Sequence, residues 1–267
     1  MIGMTKPLLY FHGMPDGGAF LPYYSNQFHV LISAYRVKRH GGVKRHLHHA
    51  RSVFLDSGML SAWKACRVEW SSRQSDVVAL ANEVGVDYCA HLDLPMAPHL
   101  LALNSVLPEV ALQQTVANAY QFLRADVTAK KVFVIQGYQL SEYQSCIDSF
   151  RDMGILALSD IWLAIGSVCR RSPLHGLYEV CSFIRRQLSH HHLHAFGVGR
   201  PAWIRELRRI GIDSFDSATG SLLGGFNHPP FRVEGHRTQV DMARCYGESM
   251  RWHEERVFAQ PMQMELF

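Results

Sequence analysis

The stretch "FGVGRPAWIRELRRIGIDSFDSAT", residues 196–219, decides how the whole chain is read. It completes a short apolar run, "LHAFGVG" (193–199), that closes on glycines. A basic amphipathic helix follows over about 200–210, with Pro201 at its first position, where a missing N–H removes no helical bond. The run "IDSFDSA" (212–218) then reads as a second short strand that ends in a polar turn. Strand, helix and strand in so short a span are the unit of a parallel β/α protein. The second strand also carries two carboxylates three apart, Asp213 and Asp216. They are either helix caps or, at the mouth of a barrel, a nucleophile and its neighbour.

The same pattern extends outward along the chain. Further strand-like runs stand at 7–13, 28–37, 52–58, 86–95, 131–137 and 161–167, which makes eight in all. Helical patterns fall at about 73–84, 109–126, 141–153 and 174–189, and a last one at about 236–257. Eight strands in this length fit a single-domain (β/α)8 (TIM) barrel spanning 1–267; a doubly wound open sheet is the runner-up, since alternation alone does not separate the two. There is no internal repeat, low-complexity tract or linker to divide the chain.

With 267 residues, 48% of them apolar, the chain can bury a full core. No apolar run approaches the ~18 residues of a membrane span, and the start lacks the marks of a signal peptide, so a cytoplasmic enzyme with no membrane partner is expected. Six scattered cysteines without a CxxC pair read as buried or idle thiols. The net charge is a mild +4, but no acid occurs from Gly17 to Leu55. Within that window, residues 36–51 hold Arg36, Lys38, Arg39, Lys44 and Arg45 among histidines, around a Gly41–Gly42 pair. This basic insertion reads as a flexible loop or hairpin tip that either binds phosphates or is simply solvated. Arg170 and Arg171, after the sixth strand, are further candidates for phosphate contact. The histidines at 190, 191, 192 and 194 read as a solvated helix end at the start of strand seven, away from the active face, with a metal site as the alternative.

In a barrel of this kind, chemistry sits at the C-terminal ends of the strands. Those ends read Asp56-Ser57-Gly58, Asp93, Gln136-Gly137, Gly166-Ser167, Gly197-Val198-Gly199 and Asp216-Ser217. Any one of them could be a cap; six in succession are harder to explain that way. Two carboxylates are what a retaining glycosyl transfer needs, one to attack the sugar carbon and one to move the proton. A carboxylate and an amide can read the edge of a flat heterocycle. No organic cofactor or metal is called for.

In order and type, these residues resemble the tRNA-guanine transglycosylase superfamily. "FLDSGMLSAW" looks like its "TDSGGFQ" segment, "AHLDLP" like its "FDEC" region, "VIQG" like "VQGG", and "LAIGSVCRR" like "IGGLAVGE". The opening stretch is similar to "MGVGKPEDLLEAVxRGVDMFDCVxPTR", and the likeness covers about 52–219. The resemblance implies a (β/α)8 barrel with Asp216 as the nucleophile toward the ribose C1′. It makes Asp56 the acid/base, Asp93 and Gln136 the binders of a guanine-type base, and Gly166 a backbone donor to its carbonyl. Ser57, Gly137 and Ser167 line the same turns. The family's CxCxxC-plus-His zinc site has no counterpart after Asp216, where only Cys245, His228, His236 and His253 stand, so a zinc-free chain is expected. Its Pro-Thr-Arg turn and N-terminal GGxFMP signature are missing as well. Such a short chain looks most like the 7-deazaguanine DNA transglycosylases of phages and bacterial modification islands. These replace guanine in DNA with a 7-deazaguanine base, which requires a flipped guanine. A tRNA-acting enzyme and a non-catalytic nucleic-acid-binding subunit are the alternatives.

Overall fold

The computed structural model describes residues 8–14, 20–39, 41–65, 73–169, 171, 174–225 and 239–259. Eight parallel strands close into a barrel in chain order. They are β1 (Leu9–Gly13), β2 (His29–Ser33), β3 (Ser52–Asp56), β4 (Tyr88–Ala90), β5 (Lys130–Ile135), β6 (Trp162–Ile165), β7 (His192–Ala195) and β8 (Ser214–Ser217). β8 pairs back onto β1, with Leu9 opposite Ser214 and Phe11 opposite Asp216. That closure leaves no sheet edge and rules out the open doubly wound sheet.

The helices among the described residues are α1 (Ala34–Arg39), α2 (Met59–Lys64), α3 (Gln74–Val84), α4 (Pro98–Leu103), α5 (Pro108–Arg124), α6 (Leu140–Asp152), α7 (Leu174–Gln187), α8 (Pro201–Arg209), α9 (Thr219–Gly225) and α10 (Gln239–Phe258). None of them is long and apolar enough to cross a membrane. Each strand overlaps a run read from the sequence and is shorter than it, with β5 and β7 each starting one residue before their runs. The apolar alternation carries on past the last ladder hydrogen bond into the polar turn that follows.

Alternate residues of each strand face two environments. Tyr10, Ile32, Leu55, Phe133, Leu163 and Phe215 pack with the helices in one buried cluster. Phe11, Leu31, Phe54, Val132, Val134 and Ala164 fill the interior of the barrel. Burial of each large side chain of this kind contributes about 1.5–3 kcal/mol. The interior is layered. At the strand-start end the Trp162 ring lies between Tyr88 and His192, at centroid distances of 4.2 and 3.6 Å. Above it, Phe54 meets Phe11 at 5.4 Å and His194 at 5.1 Å. The polar residues of the strand ends form the top layer.

Through His49, the described residues of the basic window at 36–51 are helical and do not form a loop or hairpin tip. The window is the crossover from β2 to β3, built of α1 and a 3-10 helix, Gly41–His49. Buried Val37 and Leu47 anchor the two pieces to the core, which explains why the chain stays helical through the glycine pair. Lys44 forms an ion pair at 2.5 Å with Glu83 near the end of α3, toward the strand-start end of the barrel and not its mouth. Arg45 is exposed, and Arg36 half-buried on α1. Lys38 and Arg39 lie on α1, but their side chains fall outside the described set.

Candidate active site

Asp56 ends β3, Asp93 lies just beyond β4, and Asp216 sits in β8. The barrel brings the three together. With Ser57, Gln136, Gly166 and Ser167 they line one cavity of about 120 Å³. Its apolar walls include Leu31, Leu60, Pro95, Ala97, Leu100 and Phe196. Apolar walls with a few convergent polar groups are the usual form of a small-molecule site.

Asp93 is the centre of a hydrogen-bonded network. Ser57 Oγ donates to its Oδ1 at 2.7 Å, and Gln136 Nε2 donates to its Oδ2 at 2.5 Å. Ser167 Oγ donates to Gln136 Oε1 at 2.7 Å and accepts from Met96 N at 2.8 Å. Ser167 has φ +55°, a left-handed conformation uncommon for a residue with a side chain. The loop that carries Asp93 is tied from behind. Leu92 N donates to Gln74 Oε1 at 2.7 Å, Asn118 Nδ2 donates to Leu92 O at 2.9 Å, and Leu94 N donates to Thr115 Oγ1 at 3.0 Å. The Asp93–Gln136 pair is therefore held in place before any ligand arrives. Burial raises the Asp93 carboxyl above the usual range, partly offset by the bonds from Ser57 and Gln136.

Asp56 is pushed up to about 8, first by burial and then by the charges of Asp93 and Asp216. The Gly58 N–H, 3.2 Å from its Oδ2, only partly offsets this. At neutral pH Asp56 is thus a protonated acid, able to donate across the cavity. Asp216 is positioned differently. Its Oδ1 accepts from Gly197 N at 2.8 Å and contacts His194 Nε2 at 3.1 Å. Both bonds fall on one oxygen, which leaves Oδ2 for the cavity. Gly197 has φ +68°, and a Cβ there would lie 2.3 Å from Cys169 Cβ, so a side chain at this position would push the N–H away from Asp216.

Two of the glycines differ from what the resemblance implied. The Gly166 N–H donates to Ile135 O at 3.0 Å in the sheet ladder, and its carbonyl accepts from Tyr143 OH at 2.7 Å. It is not open to serve as a donor to a base. Its part is steric: a Cβ at Gly166 would lie 2.3 Å from Gln136 Nε2. Gly137 backs onto Tyr143, where a Cβ would lie 2.7 Å from its N, and the cavity is lined by Gln136 instead.

The basic candidates do not gather at this cavity. The Arg171 guanidinium donates to Tyr138 O and stacks on the Tyr138 ring at 4.6 Å. It lines a neighbouring polar cavity of about 300 Å³ with Arg200, Ser217 and Thr219. Arg170 lies outside the described residues. Asp213 turns to the opposite end, where its Oδ2 accepts from Arg185 Nη2 at 2.7 Å and Leu193 N at 2.9 Å.

His194 was missed as a site residue. The histidine run reads as solvated, yet only His190 is exposed. His192 and His194 belong to β7, and His194 is fully buried. The available signal was the period of two in "HLHA", with a histidine at every second position of a strand. His192 begins the strand, and from sequence a helix end and a strand start look alike. Among the described residues, no group of three or more His, Cys, Asp or Glu is placed to hold a metal ion. His228 and His236 lie outside them. No known family model and no curated protein matches the chain.

Proposed function

We propose that the chain is a base-exchange enzyme that replaces guanine in DNA with a 7-deazaguanine base by double displacement. The observation that carries this reading is a single cavity holding Asp56, whose carboxyl burial raises, Asp216 with one oxygen tethered, and the prearranged Asp93–Gln136 edge. In the first step Asp216 Oδ2 attacks C1′ of the nucleotide. The C1′–N9 bond breaks, and Asp56 gives its proton to the departing base. In the second step the incoming base loses its N9 proton to Asp56, N9 bonds to C1′, and Asp216 is released. Two carboxylates lining one cavity suit a retaining glycosyl transfer, which needs a nucleophile and an acid/base at the same carbon. Asp93 and Gln136 suit the donor and acceptor edge of a purine, and the apolar walls suit its faces. A base reaches such a pocket only out of the stack, and the neighbouring cavity lined by Arg171 and Arg200 suits backbone contact. DNA rests on the resemblance and on the missing family zinc site and Pro-Thr-Arg turn; tRNA is the competing substrate.

The test is incorporation of labelled guanine, offered separately with duplex DNA, single-stranded DNA and bulk tRNA. The reading predicts label in DNA alone. Label in tRNA alone moves the protein to the RNA branch, and label in neither contradicts base exchange.

A further inference from the structure

We infer that His194 is the positioning residue for the nucleophile: it fixes which oxygen of Asp216 reacts, and it acts from inside the barrel. The inference rests on the base-exchange reading. His194 is fully buried, and its ring lies among Phe11, Phe54 and Phe196, at centroid distances of 5.9, 5.1 and 4.8 Å. A buried imidazole in such surroundings is costly unless both nitrogens are bonded. Both are. Nε2 lies 3.1 Å from Asp216 Oδ1, and Nδ1 lies 3.0 Å from Ser214 Oγ. Ser214 Oγ in turn lies 2.8 Å from His192 Nε2, and the His192 ring is stacked on Trp162 with an interplanar angle of 12°.

Hydrogen-bond chemistry sets the direction of this chain. A carboxylate only accepts, so Nε2 of His194 carries the proton. With Nε2 as the donor to Asp216, Nδ1 pairs with the Ser214 hydroxyl, and Ser214 Oγ pairs with His192 Nε2. The series His192–Ser214–His194–Asp216 spans the barrel from its lowest layer to the site, and every link depends on the next. Together with the Gly197 N–H it secures Oδ1 and presents Oδ2 to C1′. His194 is not among the residues that line the cavity, so it acts through Asp216 and not on the substrate.

Two substitutions separate positioning from packing. In His194→Gln the amide nitrogen extends about as far as Nε2 and can still donate to Asp216. In His194→Asn it is too short to do so. We expect the Gln variant to keep kcat for guanine exchange within roughly threefold. We expect the Asn variant to lose roughly 100-fold, the scale of a misplaced reacting group, with KM for the base little changed. Thermal unfolding of both confirms that they fold. If the Asn variant exchanges as fast as wild type while wild type is active, the positioning role is wrong and base exchange stands. If wild type itself exchanges nothing, the base-exchange reading fails and takes this role with it. Nitrogen-15 NMR of labelled histidine gives a readout that needs no turnover. The Nε2–H form of His194, shifted on Asp216→Ala, is expected. The Nδ1–H form overturns the assignment.

Discussion

At the residue scale, the proton carried by Asp56 decides how the cavity works. Its carboxyl is raised to about 8 in the folded chain, against an ordinary value near 3.8. Between those values the folded state holds a proton that the unfolded state has released. Stability is therefore greatest below about pH 4 as far as this group is concerned, and it falls as pH rises toward 8. Asp56→Asn removes that liability, and its amide oxygen can still accept from Gly58. Its melting temperature should exceed that of wild type by several degrees at pH 8, with the gap closing toward pH 4; no gap at pH 8 would mean that the Asp56 carboxyl is not raised by folding. Exchange should follow the opposite course from that benefit. The Asn variant cannot protonate a leaving base and should lose activity at all pH values, while wild-type exchange should decline above about pH 8. Asp56, Asp93, Gln136 and Asp216 could be placed from the sequence because each ends or follows a strand run and strand ends share one face of a barrel. The Gly166 role was misread because whether a backbone N–H is already used in the ladder depends on the register with β5. His194 went unrecognised because its partner, Asp216, is 22 positions away.

At the scale of elements, the β7–α8–β8 unit divides its two carboxylates between opposite ends of β8. Asp216 serves the cavity. Asp213 joins the start of β8 to β7 through Leu193 N and to α7 through Arg185. Arg185 Nη1 also donates to the carbonyls of Leu188, Ser189 and His191, at 3.0, 3.0 and 2.9 Å, so one guanidinium closes the turn after α7. Both partners are mostly shielded from solvent, with side-chain exposures of 15% and 17%. Asp213→Ala should cost roughly 2 kcal/mol, or about 5 °C in Tm, while kcat stays near wild type. A loss of exchange with unchanged stability would place Asp213 in the chemistry instead. The unit itself was legible from Pro201 and the flanking strand runs. The β2–β3 crossover was not. A run of Arg, Lys and His around two glycines has the composition of a loop, and only the burial of Val37 and Leu47 against the barrel makes it helical.

At the scale of the molecule, closure of the barrel brings the site together. Asp216 on β8 faces Asp56 on β3 only because β8 pairs with β1, an association between the first and last strands. Eight strand runs could be counted in the sequence, but that long-range pairing leaves no local mark, so barrel and open sheet were both admissible until the register was known. The basic residues illustrate the same point. They share a window of sequence, yet Lys44 is drawn to the end opposite the cavity. The central claim is that Asp216 forms a covalent bond to a nucleotide. Its most direct test is to incubate the protein with guanine-containing duplex DNA, denature, and measure intact and peptide masses. The account predicts an adduct equal to the oligonucleotide minus its guanine, mapped to the peptide bearing Asp216 and lost in Asp216→Ala. An adduct on any other residue, or none while exchange proceeds, would contradict it.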